Sequence, residues 1–584
     1  MTRSWIFAAF ALLCISFSSS YCFAQGTCPA NVPVTGNHCY FVAANGSDSN
    51  NGTSESTPWL HGPGMPNCSN TCLSAWKATL SAGTGIIFRG GDTWHFGNPS
   101  ASPYTGGVWN LNTSPYPTGS SSAPIYIGVD QSWYSGSSWA RPIFTGDNPL
   151  CNANTLGANC ISGGTNPNPG EYYVNSCAYQ VAGGQNGFFD VSALSYYIID
   201  NFEMTGLCQS HLGQSLGYDT YVNYSSDRGP MTFENLYIHG WSHLPFADNN
   251  GGSGCTSSTV CFDIFAFVGF TGNGHPLPGE TIKNCVVDGS DSDPIGGGLG
   301  YAGFYNVYDN VFRYVSQLIV RTAETFHDNL YEYYYENGHS NLWESVGEPG
   351  NAVIYNNVIR HLETVGATNG VGFWIDPNVG NTTYFFNNVM YDVGAIQYLG
   401  MSNQTIGKPI GNTAIFNNTL QLNSGVGGDI ITCQNNAGGT VTDSNNHLIT
   451  DSKSYIIGGC ANTTSDHALK MSNATATADG YTPSQTYVYS PTSASSPTAG
   501  AGTNRQSFCS ALSGSSDPLL QAAGTACASD TGYACSYNTI DHTVNCPART
   551  MVSRPSSASW DLGAYQFSNV GTPGVPQNLT GIAK

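Results

Sequence analysis

The sequence predicts an all-β solenoid, in which short strands and turns stack as successive coils. Only 9% of the residues are charged, too few for the polar surfaces of a helical protein. Gly, Ser, Thr, Asn and Tyr are abundant, which favours strands joined by many turns. A motif of an apolar strand, an Asn corner and a second apolar strand also recurs along the chain.

The Asn motif returns at the spacing of a solenoid repeat. A clear copy is "AVIYNNVIRHLE", from Ala352 to Glu363. Asn tolerates the left-handed backbone of a sharp corner, and its amide can bond to the same amide one coil above. The alternative is a set of unrelated Asn-rich turns in a β-sandwich. Eight copies, 19 to 49 residues apart, are centred on Asn201, Asn235, Asn284, Asn310, Asn329, Asn357, Asn388 and Asn418.

The first 24 residues have the layout of a secretory signal peptide. Arg3 precedes an apolar run from Trp5 to Phe17, and small residues lead to a predicted cleavage site after Ala24. The apolar run is short for a membrane span. The sequence therefore predicts a secreted protein, extracellular or periplasmic.

The cysteines suit an oxidising compartment. Two of the 19 lie in the signal peptide, and most of the other 17 form near-neighbour pairs. Cys285 is left over and is predicted to be a buried thiol. The predicted pairs are Cys28/Cys39, Cys68/Cys72, Cys151/Cys160, Cys177/Cys208, Cys255/Cys261, Cys433/Cys460, Cys509/Cys527 and Cys535/Cys546.

The net charge of −21 argues against nucleic acid and anionic membranes as partners. It also disfavours a polyanionic substrate unless Ca²⁺ mediates the contact. The segment Asp288–Pro294 carries three carboxylates but lacks the rest of an EF-hand loop. Calcium is thus the one cofactor that the sequence leaves open, and no metal ligand is assigned.

Several stretches resemble the secreted bacterial proteins of the pectate-lyase-like superfamily. The Asn-cornered coils are similar to the coils of these proteins, and "CYFVAANGSDSNNGTSESTPW" resembles their opening strand and first turn. The segment "GDTWHF" resembles the motif that follows their first capping helix, and "WDLGAYQF" resembles their closing segment. The resemblance covers roughly residues 38 to 567. It implies a right-handed parallel β-helix with an N-terminal cap and disulfide-clipped loops, and it does not specify an activity.

The resemblance and the repeat together predict the organisation of the chain. The signal peptide (1–24) is followed by a cap and first coils (25–125), with a helix over Cys72–Gly83. A β-helix with irregular late coils covers 126–567, and 568–584 is a linker or tail.

A solenoid binds extended ligands along one face, and the central coils are the place to search. The strands predicted after the Asn corners cover 317–324, 339–348, 370–378 and 395–403. Stacked about 4.8 Å apart, they bring Arg321, Glu344 and Asp376 to neighbouring positions. Glu344 and Asp376 then become candidates for paired acid/base carboxylates, Arg321 for stabilising developing charge, and His339 for an assisting base.

Structural alternatives accompany each candidate. His339 could be a turn residue, Glu344 an exposed charge, Asp376 a turn-initiating residue before Pro377, and Arg321 one half of a structural ion pair. A one-residue slip would also turn each of these side chains to the other face. The aromatic residues Trp343, Trp374 and Tyr334 are candidates for sugar binding, or else fill the interior.

The predicted function is that of a polysaccharide-active protein, either a glycoside hydrolase or a polysaccharide lyase. The Asn-Thr-Asp, Asp-Asp and Gly-His-Gly pattern of the pectate hydrolases in this superfamily is absent, and no lysine falls on the four central strands. The alternative is a non-catalytic extracellular protein that binds glycans or acts in a matrix through its long face.

Overall fold

The protein folds as a parallel β-helix with three sheets, here called A, B and C. The structure is a computed structural model, and it describes residues 26–34, 36, 38–78, 80–111, 118–151, 160–162, 172–174, 176–179, 181, 187–192, 194–209, 220–224, 230–243, 265–269, 279–291, 298–315, 317–319, 322–334, 341–344, 350–362, 371–394, 397–402, 410–426, 431–434, 438–451, 457–458, 462–532, 536–546 and 551–567. Each sheet stacks parallel strands from successive coils, which confirms the predicted fold class. Right-handed crossovers are the rule for parallel strands joined in this way.

One coil runs from sheet A through the Asn corner to sheet B, then to sheet C and back to sheet A. In one such coil, Ala352–Tyr355, Val358–Leu362 and Val371–Ile375 lie in sheets A, B and C, and Thr382–Phe386 begins the next coil. The long strand Gly298–Tyr308 pairs in both C and A. The central strands predicted after each corner are those of sheet C.

The strands of each sheet are as follows. Sheet A holds His38–Val42, Thr84–Phe88, Ile125–Val129, Tyr197–Asp200, Met231–Glu234, Thr281–Lys283, Gly298–Tyr308, Thr322–His327, Ala352–Tyr355, Thr382–Phe386, Asn412–Phe416, Thr440–Ser444 and Asn462–Asp466. Sheet B holds Thr93–His95, Ile143–Thr145, Glu203–Thr205, Tyr237–His239, Val286–Asp288, Val311–Arg313, Leu330–Tyr334, Val358–Leu362, Val389–Val393, Thr419–Leu422, His447–Ile449 and Leu469–Met471. Sheet C holds Trp109–Asn110, Phe189–Asp190, Thr220–Asn223, Phe265–Gly269, the start of Gly298–Tyr308, Gln317–Ile319, Asn341–Glu344, Val371–Ile375, Gln397–Ser402, Ile431–Gln434 and Ile457–Gly458.

From Asn201 onwards, each corner between sheets A and B consists of two residues with different roles. The first adopts the left-handed backbone, as Asn356 does with φ 57°. The second turns its side chain into the coil, as Asn357 does, and is completely buried. The eight asparagines of the sequence motif belong to both corner positions. Asn201, Asn235 and Asn284 are the left-handed first residues, whereas Asn310 and its later equivalents are the buried second residues.

The buried asparagines form the predicted ladder. The Asn357 Oδ1 accepts hydrogen bonds from the backbone N (3.0 Å) and the Nδ2 (3.1 Å) of Asn329. The Asn357 Nδ2 donates in turn to the Phe326 carbonyl (3.0 Å) and to the Asn388 Oδ1 (3.0 Å). Because both ends of the amide are bonded, it can be buried without the penalty of unsatisfied polar atoms. The ladder residues are Asn310, Asn329, Asn357, Asn388, Asn418 and Asn446.

An aromatic stack follows the outer side of sheet A, next to the corners. The rings of Tyr308, His327, Tyr355, Phe386 and Phe416 lie one per rung, with centroids 4.6 to 5.1 Å apart. The stack continues to Phe508 of the C-terminal region, 4.9 Å from Phe416. Parallel in-register strands place like residues above one another, so the rings stack without bending the sheet.

The C-terminal region differs from the irregular late coils that the sequence predicted. The last parallel strand is Leu469–Met471, and the chain then returns along the outside of sheets A and B. Helices α1 to α4 are Asn70–Ala78, Asn473–Ala478, Gln506–Ser513 and Pro518–Cys527, and Ser536–Asn538 pairs antiparallel with Thr543–Asn545. Outside the three main sheets, Cys208–Gln209 pairs parallel with Ser242–His243, and Cys160–Ser162 pairs antiparallel with Tyr172–Val174.

Local signals explain the helices that the structure adds or shortens. Asp517 caps α4 through a hydrogen bond from the Leu519 N, and Pro518 occupies the first helical turn. The helix predicted over Cys72–Gly83 forms as α1 but ends at Ala78. Gly83 instead adopts φ 77° in the turn before the strand that begins at Thr84.

Four of the eight predicted disulfides form with the predicted partners within the described residues. The structure confirms Cys28–Cys39, Cys68–Cys72, Cys177–Cys208 and Cys509–Cys527. Cys151, Cys433 and Cys546 are disulfide-bonded as well, and Cys285 is a buried free thiol as predicted. These bonds fit an oxidising environment, in line with export. The predicted signal peptide and the predicted tail lie outside the described residues.

Within the described ranges, no helix has the length and apolar character needed to cross a membrane.

We expect Asn357→Ala to lower the free energy of unfolding by about 2–4 kcal/mol, because the two buried Asn329 donors lose their acceptor. Urea unfolding followed by circular dichroism measures this loss. Asn351→Ala is the matched control, since its exposed side chain also accepts one backbone hydrogen bond from the next coil, at 2.8 Å. It should cost at most about 1 kcal/mol. Equal losses in the two variants would contradict a supporting role for the ladder.

Candidate functional site

Strand register in sheet C fixes which residues face the interior, the point that the sequence left open. Trp343, Phe373, Leu399 and Ile431 occupy one register column and are all buried in the main core. The neighbouring column therefore lies on the outer face. It contains Glu344, Trp374, Gly400 and Thr432 on successive rungs.

The two predicted carboxylate residues occupy nearby positions on sheet C. Glu344 is in register with Trp374, and Asp376 directly follows the strand Val371–Ile375, two residues after Trp374. One rung and two residues correspond to about 8 Å between their Cα atoms. Asp376 is only 6% exposed, at the end of its strand and before Pro377. Trp374 is half-buried between the two positions, and Gly400 adds no side chain on the next rung.

The other predicted site residues are undescribed, described by their backbone alone, or buried in the core. Arg321 and His339 lie outside the described residues. For Tyr334 and Glu344 the structure describes the backbone alone. Trp343 is fully buried, packed against Phe326 and Phe373 in the coil interior, so no sugar can reach its ring. The prediction that Trp343 binds substrate is therefore corrected to a core position.

Polar side chains also mark the first rungs of sheet C. Asn110, Asp190 and Asn223 share the outer column of Glu344 and Trp374, several coils earlier. The Asn110 Nδ2 donates to the Asp190 Oδ2 at 3.2 Å, and the Ser192 N donates to the Asp190 Oδ1 at 3.1 Å. Polar groups thus occur on this outer face near both the first and the central coils.

Sheet B carries a charged column that the sequence did not reveal. Asp288, Arg313, Glu332 and Arg360 are register partners on four successive rungs, with alternating charge, and Tyr391 follows. The Arg313 guanidinium lies 3.6 Å from Asp288 and 3.4 Å from Glu332. Burial lowers the pKa of Arg313, but the two carboxylates outweigh this and raise it above its usual value. These residues are 19 to 28 positions apart in sequence, and only the strand register brings them together.

The antiparallel pair of strands near the C-terminus covers the first end of this column. The Tyr537 hydroxyl donates to the Asp288 Oδ2 (2.8 Å) and contacts the His542 Nδ1 (2.7 Å). The His542 ring stacks on Tyr237 with centroids 4.1 Å apart, and Tyr237 stacks on His239 at 4.1 Å. This end of sheet B is consequently a packed contact between the β-helix and the returning chain.

His239 is held as a cation between two carboxylates. Its Nδ1 lies 2.6 Å from the Asp291 Oδ2, and its Nε2 lies 3.2 Å from the Glu203 Oε1. Burial lowers the pKa of His239, but the hydrogen bonds to both carboxylates raise it to about 9. Asp291 and Asp288, two of the three acids of the segment Asp288–Pro294, thus contact His239 and Tyr537 respectively. No group of three metal-ligating side chains occurs among the residues that the structure describes.

A second pair of carboxyl groups lies where helix α4 meets sheet A. Glu324 hydrogen-bonds to Asp517, the N-cap of α4, and the Asp517 Oδ2 accepts from the Tyr305 hydroxyl at 2.9 Å. Burial, with the negative charge of Asp517, raises the pKa of Glu324 to about 8. Two carboxyl groups in direct contact cannot both ionise readily, so this pair holds a proton at neutral pH.

Searches for similar proteins returned solved structures and no family assignment. A lacto-N-biosidase from Eubacterium ramulus is 13% identical, with a TM-score of 0.42, over 74% of this chain and 67% of its own. A pectate lyase is 16% identical, with a TM-score of 0.40, over 91% and 96%. A rhamnogalacturonan lyase is 14% identical, with a TM-score of 0.37, over 74% and 87%. No protein-family model and no curated protein matches the chain.

Because these TM-scores are below 0.5, the fold assignment depends on the strand topology described above. The chain is a parallel β-helix, the architecture that its resemblance to the pectate-lyase-like superfamily implied.

The Glu324–Asp517 pair makes stability depend on pH. In the unfolded chain Glu324 titrates near 4.5, and in the folded protein near 8. The folded state therefore binds the extra proton between these values, and its stability falls as the pH rises from about 4.5 to about 8. Glu324→Gln should leave stability near pH 5 unchanged and raise it at pH 8.

Thermal unfolding of both proteins across this pH range measures the effect. Asp541→Asn, a change of an exposed carboxylate, should leave the pH profile of the native protein unaltered. A Glu324→Gln profile parallel to that of the native protein would exclude a proton shared between Glu324 and Asp517.

Proposed function

We propose that this protein is a secreted polysaccharide-active enzyme, a glycoside hydrolase or a polysaccharide lyase, with its site on the outer face of sheet C. The observation that carries the proposal is the register of Glu344, Trp374 and Asp376 on two adjacent rungs. Two acidic residues beside an aromatic residue supply both acid/base chemistry and a surface for a sugar ring.

The arrangement of the three sheets supports the choice of face. The C-terminal region packs on the outer side of sheet A through Leu512, Leu520 and Trp560. It packs on sheet B through residues such as Tyr489 and Tyr565. Among the described residues, neither of these two clusters includes a residue of sheet C. A stack of parallel strands can contact several successive sugar units of a polymer.

The proposed roles follow from charge. Glu344 and Asp376 act as acid and base, Arg321 stabilises negative charge that develops in the transition state, and His339 assists the proton transfer. Trp374 contacts a sugar ring. Tyr334, the other aromatic candidate, is not part of this face, because it lies on sheet B in register with the core residues Leu362 and Val393. For a hydrolase, the approximate Cα separation of Glu344 and Asp376 suits either stereochemical outcome, since side-chain reach decides the carboxyl distance. For a lyase, Arg321 and His339 carry the proton abstraction.

The test is an activity screen of the chain from Gln25 onwards on neutral and uronate polysaccharides, with and without Ca²⁺. Released reducing ends without unsaturated products indicate a hydrolase, and absorbance of unsaturated uronates indicates a lyase. In a hydrolase, we expect Glu344→Gln and Asp376→Asn each to lower kcat by roughly 10²–10⁴-fold, because each removes a proton-transfer group. Glu55→Gln, an exposed carboxylate in the N-terminal region, should retain full activity.

Binding without turnover would overturn the enzymatic proposal. If the whole panel gives no product and a glycan array shows retained binding, the protein is a glycan-binding or matrix protein. Full activity in both carboxylate variants would instead move the site away from Glu344 and Asp376.

A further inference from the structure

A cavity of about 250 Å³ lies between sheet B and the returning C-terminal chain. Its floor consists of Leu330, Val358 and Val389, which are register partners on successive rungs. Arg360 and Tyr391 also line it, and Thr486 lies at its exposed rim. The volume is just below the range of pockets for drug-sized ligands, so it suits a molecule the size of one sugar ring.

The chain that closes this cavity is held by its own hydrogen bonds. The Gln485 Oε1 accepts from the Thr482 N (2.7 Å), and its Nε2 donates to the Ser490 carbonyl (2.9 Å). These bonds fix the segment around Thr486 in a turn over the sheet. The cavity is therefore bordered by ordered chain on both sides.

Arg360 gives the cavity a positive end with spare hydrogen-bond donors. Its Nε and Nη2 donate to the Glu332 Oε2 at 2.8 and 2.7 Å, and its Nη1 donates to the Tyr391 hydroxyl at 3.1 Å. A guanidinium carries five N–H groups, so two have no partner within the described part of the chain. The Arg360 side chain is 30% exposed, which leaves it accessible from the cavity.

The alternating column on sheet B ends with a positively charged residue at this point. Glu332 is shared between Arg313 and Arg360, and the next rung carries the neutral Tyr391. The column thus begins with the carboxylate of Asp288 under Tyr537 and ends with a cation at the cavity. A carboxylate ligand at this end would continue the alternation of charge.

We propose that the cavity binds a single uronic acid, with its carboxylate on the free N–H groups of Arg360 and its ring on the aliphatic floor. Arginine recognises carboxylates through paired, charge-assisted hydrogen bonds. The apolar C–H face of a pyranose matches Val358 and Val389, whereas the net charge of −21 disfavours a long polyanion. This site is on sheet B, so it is separate from the activity proposed for sheet C.

Isothermal titration of the full protein with D-glucuronate and D-galacturonate tests the proposal, with D-glucose and acetate as matched ligands. We expect one uronate to bind with 1:1 stoichiometry and roughly tenfold or more tightly than glucose, which lacks the charge, and than acetate, which lacks the ring. Arg360→Gln should weaken uronate binding by a similar factor. Arg89→Gln, at an arginine that also pairs with a carboxylate through Nε and Nη2, should have no effect.

Because Arg360→Gln also removes a partner of Glu332, a second variant keeps that ion pair. Thr486→Trp at the exposed rim should fill the cavity and abolish uronate binding while the protein stays folded. Glu344→Gln should leave binding intact, which separates this site from the proposed catalytic face. Equal affinity for glucose or acetate, unchanged binding in Thr486→Trp, or no binding of either uronate would each overturn the proposal.

Discussion

The asparagine ladder is the interaction on which the rest of this structure depends. Each sharp corner between sheets A and B exposes backbone groups to the coil interior, where no water can satisfy them. The Asn357 side-chain amide accepts from the Asn329 backbone N and donates to the Phe326 carbonyl of the preceding coil, and the Asn357 backbone N donates to the Asn388 Oδ1 of the next coil. Since the bonds join equivalent positions of successive coils, they also set the register of the strands on either side. The columns on the outer faces, including Glu344 with Trp374 and Arg313 with Glu332, follow from that register.

At both ends of the ladder, a residue other than asparagine makes the final hydrogen bond. At its start the backbone N of Cys285 donates to the Asn310 Oδ1 at 2.8 Å, so the buried thiol occupies the position of an asparagine one coil earlier. In still earlier coils the equivalent residues are Phe202 and Leu236, where the interior is filled mainly by aromatic rings. At the other end the Asn446 Nδ2 donates to the Asp443 Oδ1 at 2.6 Å. The side-chain amides at both ends of the ladder are therefore hydrogen-bonded.

Sequence reasoning could identify the corners because asparagine has few other reasons to recur between apolar strands. It could not separate Asn284 from Asn310 by role, since the left-handed residue and the ladder residue differ by one position. The same ambiguity hid the burial of Trp343, because neighbouring residues of a strand face opposite sides. The charged column of sheet B could not be predicted, because its members come from different coils. Local sequence patterns do not show which residues of different coils contact each other. Helix α4 did have a local signal, Asp517 followed by Pro518, within a segment whose composition indicated coil.

The returning C-terminal chain gives the three faces of one regular solenoid different chemistry. On sheet A it buries apolar side chains and places the Asp517 carboxyl group against Glu324. On sheet B it covers both ends of the charged column, with Tyr537 at Asp288 and the cavity at Arg360. A repeated coil alone would offer the same surface on every rung, so an enclosed volume requires chain from outside the repeat. Enclosure raises the strength of a charge–charge contact because water is excluded. This difference between the faces is why we propose the covered cavity on sheet B for a small, charged ligand and the outer face of sheet C for a polymer.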